Sequence, residues 1–198
     1  MKIAVLSDIH SNFHALQAVI EDIQLIGDID HIINLGDVVG YGAYPNEDIN
    51  IIKNRAKISL MGNHDYAACD FMNYSFFNHF AGAAIEFTRK EITEEGLAFL
   101  KELPFTYSFD SNLFVHSSPI FPESWTYILN KKTANFIFTT IEKDVKTIFI
   151  GHSHIPIVFL NEESKIKSWY GPKLYLEKSP AIINVGSLGQ PPESRRLR

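Results

Sequence analysis

Aspartate, asparagine and histidine recur in this chain at the ends of short apolar runs. Asp8 and His10 follow Ile3-Ala4-Val5-Leu6, and Asp37 follows Ile32 to Leu35. Asn63 and His64 follow Ile58-Ser59-Leu60-Met61, His116 follows Leu113-Phe114-Val115, and His152 and His154 follow Thr147 to Ile150. Asp-x-His and His-x-His set two metal-binding side chains two residues apart, so that in extended or turning backbone both reach neighbouring metal positions. With His64 set aside, the donors are two carboxylates, one Asn carbonyl oxygen and four imidazoles. That is too many for one tetrahedral zinc. Mixed nitrogen and oxygen donors in this number suit a pair of divalent transition ions (Mn, Fe, Ni, Co or Zn) better than Ca or Mg. One carboxylate must then bridge. Two such ions carry four positive charges against the two carboxylates, which leaves a cationic site for an anionic phosphate ester.

These residues need elements that bring them together. The four-residue run Ile3–Leu6 is too short for a helix and reads as a buried strand, with Ser11 or Asn12 capping a helix from about 12 to 26. The runs 32–35 and 58–61 read as further strands, with a helix opened by Pro45-Asn46 between them. This alternation predicts parallel pairing and a layered α/β architecture. Residues 66 to 103 are helical in pattern, and strands are expected at 113–115, 147–150, 157–160, 173–176 and 181–185. In open α/β sheets, residues far apart in sequence converge at the carboxyl ends of the strands. The glycines at 36, 62 and 151 are expected to let the chain turn tightly before each donor.

The composition narrows the field. The chain has 198 residues, 45% hydrophobic and 21% charged, enough for one sizeable core, and a single domain over 1–198 is expected. Eighteen Lys plus Arg against 23 Asp plus Glu give a net charge of −5, with no basic excess for a polynucleotide groove. The one cysteine, Cys69, fits a reducing compartment. Asp8 interrupts the first apolar run too early for a signal-peptide core or a membrane span. A soluble cytoplasmic protein is the expectation.

Taken in order, D8-I-H10, G36-D37-V-V-G40, G62-N63-H64-D65, H116 and G151-H152-S-H154 resemble the calcineurin-like metallophosphoesterase superfamily. The segments DIHSNFHAL, GDVVGYGAYPNE, FNHFAGAAIEFTRK, VHSSP and INVGSLGQP resemble its compact bacterial and archaeal phosphodiesterase branch, and the likeness reaches about Pro191. The resemblance implies a four-layer α/β/β/α metallophosphoesterase sandwich around a dinuclear metal centre, with Mn the first ion to consider. It puts one metal on Asp8, His10, Asp37 and His154, and a second, bridged by Asp37, on Asn63, His116 and His152. Two ions about 3.5–4 Å apart clamp a phosphate and acidify a shared water, so the nucleophile it implies is a bridging hydroxide attacking phosphorus in line. His64, oriented by Asp65, is the candidate proton donor or transition-state stabiliser.

Other residues read more plainly. His14, His31 and His79 lie in helical or loop patterns without partners and are expected outside the site, and Asn12 and Ser11 are read as helix caps. Tyr41, Tyr44 and Asn46 follow the bridging Asp37 and are candidates to line a cleft, although loop aromatics more often pack. Phe76, Phe77 and Phe80 read as core or cap packing, and Asn184, Gly186 and Ser187 as a tight turn or a phosphate contact.

Two departures from the superfamily bear on function. Its protein phosphatases and dinucleotide tetraphosphatases carry Asp-Arg-Gly after the bridging Asp, whereas Val38-Val39-Gly40 stands here. The guanidinium clamp for a phosphate dianion is missing, which tilts the expectation to small, nucleotide-like phosphodiesters. The alternatives are a phosphomonoesterase or nucleotide phosphatase on the same site, or a non-catalytic metal-binding scaffold. The family also continues past GQP to a further strand, whereas this chain stops at Arg198, so an unpaired sheet edge or pairing in a homo-oligomer is expected.

Overall fold

The computed structural model describes residues 1–74, 77–162, 165–171, 173–176 and 179–190. Strand β1 (Ile3–Leu6) leads through helix α1 (Phe13–Ile26) to β2 (His31–Asn34), and α2 (Pro45–Arg55) leads to β3 (Ile58–Ser59). These strands pair in parallel in the order β1-β2-β3, with Leu6 opposite Asn34 and Asn34 opposite Ser59. The expected alternation of strand and helix thus produces the expected sheet. Three helices follow, α3 (Asn63–Ala68), α4 (His79–Glu91) and α5 (Glu94–Lys101). The second sheet comprises β4 (Thr106–Phe109), β5 (Asn112–Val115), β6 (Thr147–Ile150), β7 (Ile157–Glu162), β8 (Lys165–Trp169) and β9 (Ala181–Asn184), in the order β4-β5-β6-β9-β7-β8. Helix α6 (Lys131–Thr140) lies between β5 and β6 in sequence.

The two-residue side-chain period of a strand sorts apolar groups into layers. In β2, Ile33 joins Leu35, Leu60 and Phe114 in a core between the two sheets, while Ile32 faces the cluster built on Leu16 and Ile20 of α1 and Ile49 and Ile52 of α2. In β5, Phe114 faces the inter-sheet core, where it stacks on Phe149 at 5.0 Å between ring centroids, whereas Leu113 and Val115 turn to Ala134 and Ile137 of α6. The result is helices, sheet, sheet, helix. Truncating a fully buried ring such as Phe114 to alanine costs about 3–5 kcal/mol.

Three elements escape the sequence pattern. Strands β4 and β8 alternate partly buried with exposed residues, which leaves no apolar run. In α6 only Ala134 and Ile137 are buried, the apolar run being just Phe136-Ile137-Phe138, and Asn130 caps the helix through Thr133 N–H. One expected strand, 173–176, does not form. There only Leu174 packs on the sheet, while Tyr175 and Leu176 are exposed, so one buried side chain has to stand for a whole face. Phe76 and the segment after Gln190, including the expected tail beyond Pro191, lie outside the described residues.

Candidate metal centre

The seven candidate donors meet at one end of the two sheets. Six lie on loops or at strand ends and Asn63 opens α3; five of them, Asp8, His10, Asp37, His152 and His154, have φ between +55° and +64°. Left-handed backbone costs a non-glycine residue about 1–3 kcal/mol and persists only where surrounding contacts enforce it. Those contacts are visible. Asp8 N–H donates to Gly36 O, and the N–H groups of Ile9 and His10 both donate to Asp37 O, so the first two donor loops are laced to each other.

The glycines act mainly through space. Gly36 does turn, at φ +122°. Gly62 and Gly151 do not use the left-handed region. Instead, a Cβ at Gly62 would collide with the Asp37 carboxylate, and one at Gly151 with the Ser7 hydroxyl and Asp8 Oδ2. The expectation of tight turns at all three is therefore corrected at two: they permit close approach of loops.

Asp37 lies between two groups of donors. Its Oδ1 accepts the His64 N–H at 2.8 Å, while its Oδ2 is 3.3 Å from His116 Nε2 and 3.8 Å from His10 Nε2. On one side, His10 Nε2 is 3.0 Å from His154 Nε2, which is itself 3.1 Å from Asp8 Oδ1. On the other, His116 Nε2 is 3.3 Å from Asn63 Oδ1, and the His116 and His152 rings are 5.1 Å apart. Donor atoms of Asp8, His10 and His154, and separately of Asp37, His116 and His152, lie within 4.8 Å of one another. The same holds for His10, Asp37 and His64.

Hydrogen bonds leave the right atoms free for cations. His10 Nδ1 faces the Val39 carbonyl at 3.2 Å; a carbonyl only accepts, so the proton sits on Nδ1 and the Nε2 lone pair points into the cluster. By the same reasoning His152 Nε2 donates to Trp125 O at 2.9 Å and keeps Nδ1 free. Asp8 Oδ2 takes the Ser7 hydroxyl at 2.5 Å and the His152 N–H at 3.0 Å, whereas the buried Oδ1 accepts no hydrogen bond. An anionic oxygen left bare among imidazole nitrogens is a costly arrangement until a cation joins it. The donor set fits divalent metal.

Electrostatics agree with this geometry. Burial alone would raise the carboxyls of Asp8 and Asp37, but the neighbouring imidazoles, His116 foremost, hold both below the usual range, Asp37 well below it. Burial lowers His10, and also lowers His152 to about 4 and His64 to about 3. His116 resists its own burial and rises to about 9 because Asp37 and Asp8 face it. Without metal, a proton on His116 offsets part of the carboxylate charge.

Asp65 has a different task from the one expected. Its carboxylate accepts the N–H groups of Asp37 at 2.8 Å, Val39 at 3.1 Å and Gly62 at 3.1 Å, while His64 Nδ1 is buried with no hydrogen-bond partner. It braces the loops that carry Asp37 and Asn63. The His64 ring is held by packing, against Phe77 at 4.9 Å and Tyr41 at 4.8 Å between centroids, and over Gly40, where a Cβ would strike it.

The other sequence expectations divide. Tyr41 lines a cleft of about 350 Å³ over the centre, together with Asp37, Asn63, His64, His152 and His154. Tyr44 and Asn46 do not: Tyr44 precedes α2 and packs on Phe13 and His14, and Asn46 ties α2 to Glu91 O and Thr93 N–H. Phe80 is 79% exposed, so it is not core packing. His14, His31 and His79 are absent from the donor groups, and Asn12 caps α1 through Ala15 N–H. Asn184 donates to Gly151 O and Ser153 Oγ, and Ser187 Oγ donates to Asp8 O. That signature clamps two donor loops together.

Sequence reading missed Ser7, Trp125, Tyr127 and Gln190. Trp125 fixes His152 through its carbonyl, Tyr127 stacks on the His152 ring at 4.0 Å and 17°, and Gln190 lines the cleft. Nothing local in Ser124–Leu129 signals this, because the contact spans 27 residues. Among the described residues no helix is long and apolar enough to cross a membrane.

Comparison with known proteins supports the same chemistry. The chain is 40% identical to the uncharacterized protein MJ0912 of Methanocaldococcus jannaschii, over 96% of this chain and 76% of that protein. A crystal structure of a metallophosphoesterase from Sphaerobacter thermophilus superposes with a TM-score of 0.82 at 34% identity, covering 96% of this chain and 78% of that one. The hypothetical protein PH1004 from Pyrococcus horikoshii OT3 shares the fold, with a TM-score of 0.74 at 21% identity over 96% and 78% of the two chains. The sequence profile of the calcineurin-like phosphoesterases matches residues 1–177. With its donors gathered at the ends of two facing sheets, the chain belongs to the calcineurin-like phosphoesterase family of metal-dependent phosphoric ester hydrolases.

Proposed function

We propose that this protein is a phosphodiesterase that hydrolyses small phosphodiesters at a dinuclear metal centre. Asp8, His10, Asp37 and His154 would hold one ion, and Asp37, Asn63, His116 and His152 would hold the other. The observation that carries the reading is Asp37 Oδ2, which faces His10 Nε2 from one donor group and His116 Nε2 from the other. A bound pair of divalent ions, manganese being the first to test, supplies positive charge to the phosphate oxygens and lowers the pKa of a water.

The chain's own residues do the rest. Asp65 keeps the Asp37 loop against the start of α3, which positions the Asp37 carboxylate. The buried ring of His64 lines the cleft beside Asp37 and donates a hydrogen bond to the phosphoryl group as negative charge develops there. Neither Lys nor Arg is among the described residues lining the cleft. A diester, with one negative charge, is met by this site more fully than a monoester dianion.

The retained donors and His64 favour an enzyme over a metal-binding scaffold. Cys69, buried and unpaired, suits the reducing cytoplasm as its place of action. The test is to strip the protein with chelator, restore Mn, Ni, Fe, Co or Zn singly, and compare a diester with the matching monoester. Metal-restored activity favouring the diester supports the proposal. Monoester preference makes the protein a phosphatase, and silence with two metals bound makes it a scaffold.

A further inference from the structure

We propose that Tyr127 determines substrate specificity by stacking on a planar ester group, a nucleobase or aryl ring, next to the metal centre; this deepens the phosphodiesterase reading and rests on it. The loop that carries Tyr127 is anchored on both sides. Before it, the Trp125 ring packs on Tyr66, Phe105 and His116, with centroids 5.6, 5.9 and 6.1 Å away, and the Trp125 carbonyl holds His152. After it, Ile128 is 2% exposed in the core beneath α6.

Between and beyond these anchors, Tyr127 and Leu129 are 53% and 52% exposed and both line the cleft. The chain therefore packs a half-buried Trp125 and a buried Ile128 against the fold but holds a ring and an isobutyl group half in water beside a charged centre. Core packing does not require that. Tyr127 lies nearly parallel to the His152 ring at 4.0 Å. With Leu129 and Ile155 it forms the apolar side of the cleft, and Tyr41 adds a second ring set edge-on to His10 at 4.8 Å.

A phosphate held at Asp37 and His64 has to lay one ester group along this wall. In a cleft lined mainly by polar side chains, the half-exposed Tyr127 ring offers a stacking face for a flat ester group, and stacking tolerates any base because every base offers a π-face. The inferred substrate class is thus a phosphodiester with at least one nucleoside or aryl group, without selection for one base.

The experiment compares wild type with Tyr127→Ala, Tyr127→Leu and Tyr127→Phe on an aryl diester and on a dialkyl diester such as a glycerophosphodiester. The bound metal of each variant is measured alongside. The ratio of kcat/KM between aryl and alkyl substrates is expected to fall about tenfold in Tyr127→Ala, mainly through KM, and to stay within about twofold in Tyr127→Phe. Calorimetry with phosphonates, whose P–C bond is not hydrolysed, gives a readout free of turnover: the methylenephosphonate analogue of adenosine monophosphate is expected to bind wild type more tightly than methylphosphonate does, and to lose that advantage in Tyr127→Ala and Tyr127→Leu. An unchanged ratio in the alanine and leucine variants, or equal loss on both substrates with metal retained, overturns the proposal. Should wild type cleave only monoesters, the diester reading fails while aryl and alkyl monoesters still decide the role of Tyr127. Should it cleave neither, the calorimetric comparison decides it.

Discussion

The backbone N–H of His64 donates to Asp37 Oδ1 over 2.8 Å. This bond ties the proposed bridging ligand to the first turn of α3, the helix that also carries Asn63 and the candidate transition-state stabiliser. It also leaves only Oδ2 of Asp37 to face the two histidine groups, which separates a positioning oxygen from a binding one.

Replacing Asp37 with Asn should therefore abolish metal binding and activity together. The expected loss is about 10³-fold or more in kcat, with bound metal falling below two ions per chain by elemental analysis. Full metal occupancy in Asp37→Asn removes Asp37 from the bridging position.

His64→Ala separates the two properties. The Asp37 bond comes from the backbone and survives, so metal content should stay at the wild-type level while kcat falls about 10²–10³-fold. Wild-type turnover in the metal-saturated variant removes His64 from the reaction.

Asp65 should read out in stability. Asp65→Ala leaves three buried N–H groups, on Asp37, Val39 and Gly62, without their acceptor, and denaturant unfolding of the metal-free protein should show a loss of about 3 kcal/mol or more. A loss below about 1 kcal/mol means that water takes over the bonds.

Much of the site is legible in sequence, because the seven donors follow five strands and the turns that present them are local. Asp8 after Leu6 and His116 after Val115 are examples. The fold of the first sheet is legible for the same reason, since β1 is an apolar run, α1 carries apolar residues at helical spacing and β2 is built on Ile32-Ile33. Tyr127 and Trp125 are not legible, because their importance exists only once β6 has brought His152 beneath them. The role of Asp65 is likewise hidden, since a carboxylate beside a histidine suggests a side-chain pair and only the folded loops reveal three backbone donors instead. Strand β8 is missed because a half-exposed edge strand such as Lys165–Trp169 needs no apolar run.

Asp48 supplies a pH signature remote from the donor groups. It is fully buried in α2, neither carboxylate oxygen has a hydrogen-bond partner, and burial, with Glu47 nearby, raises its pKa from 3.8 to about 8. The folded protein thus keeps a proton that the unfolded chain gives up. The stabilisation linked to this group is complete below the unfolded value of 3.8 and is lost as pH rises through about 8. Asp48→Asn, which stays neutral, should gain in Tm relative to wild type as pH increases across that window, with little difference at the acidic end. A constant Tm difference across the window shows that Asp48 does not hold the proton.

Metal-dependent cleavage of a diester is tested by the kcat/KM of chelator-stripped protein on bis(nitrophenyl) phosphate and on nitrophenyl phosphate, before and after adding manganese. The expected result is no turnover of either ester without metal, and restored turnover that favours the diester. Undiminished hydrolysis in the stripped protein, or a restored activity that favours the monoester, contradicts it.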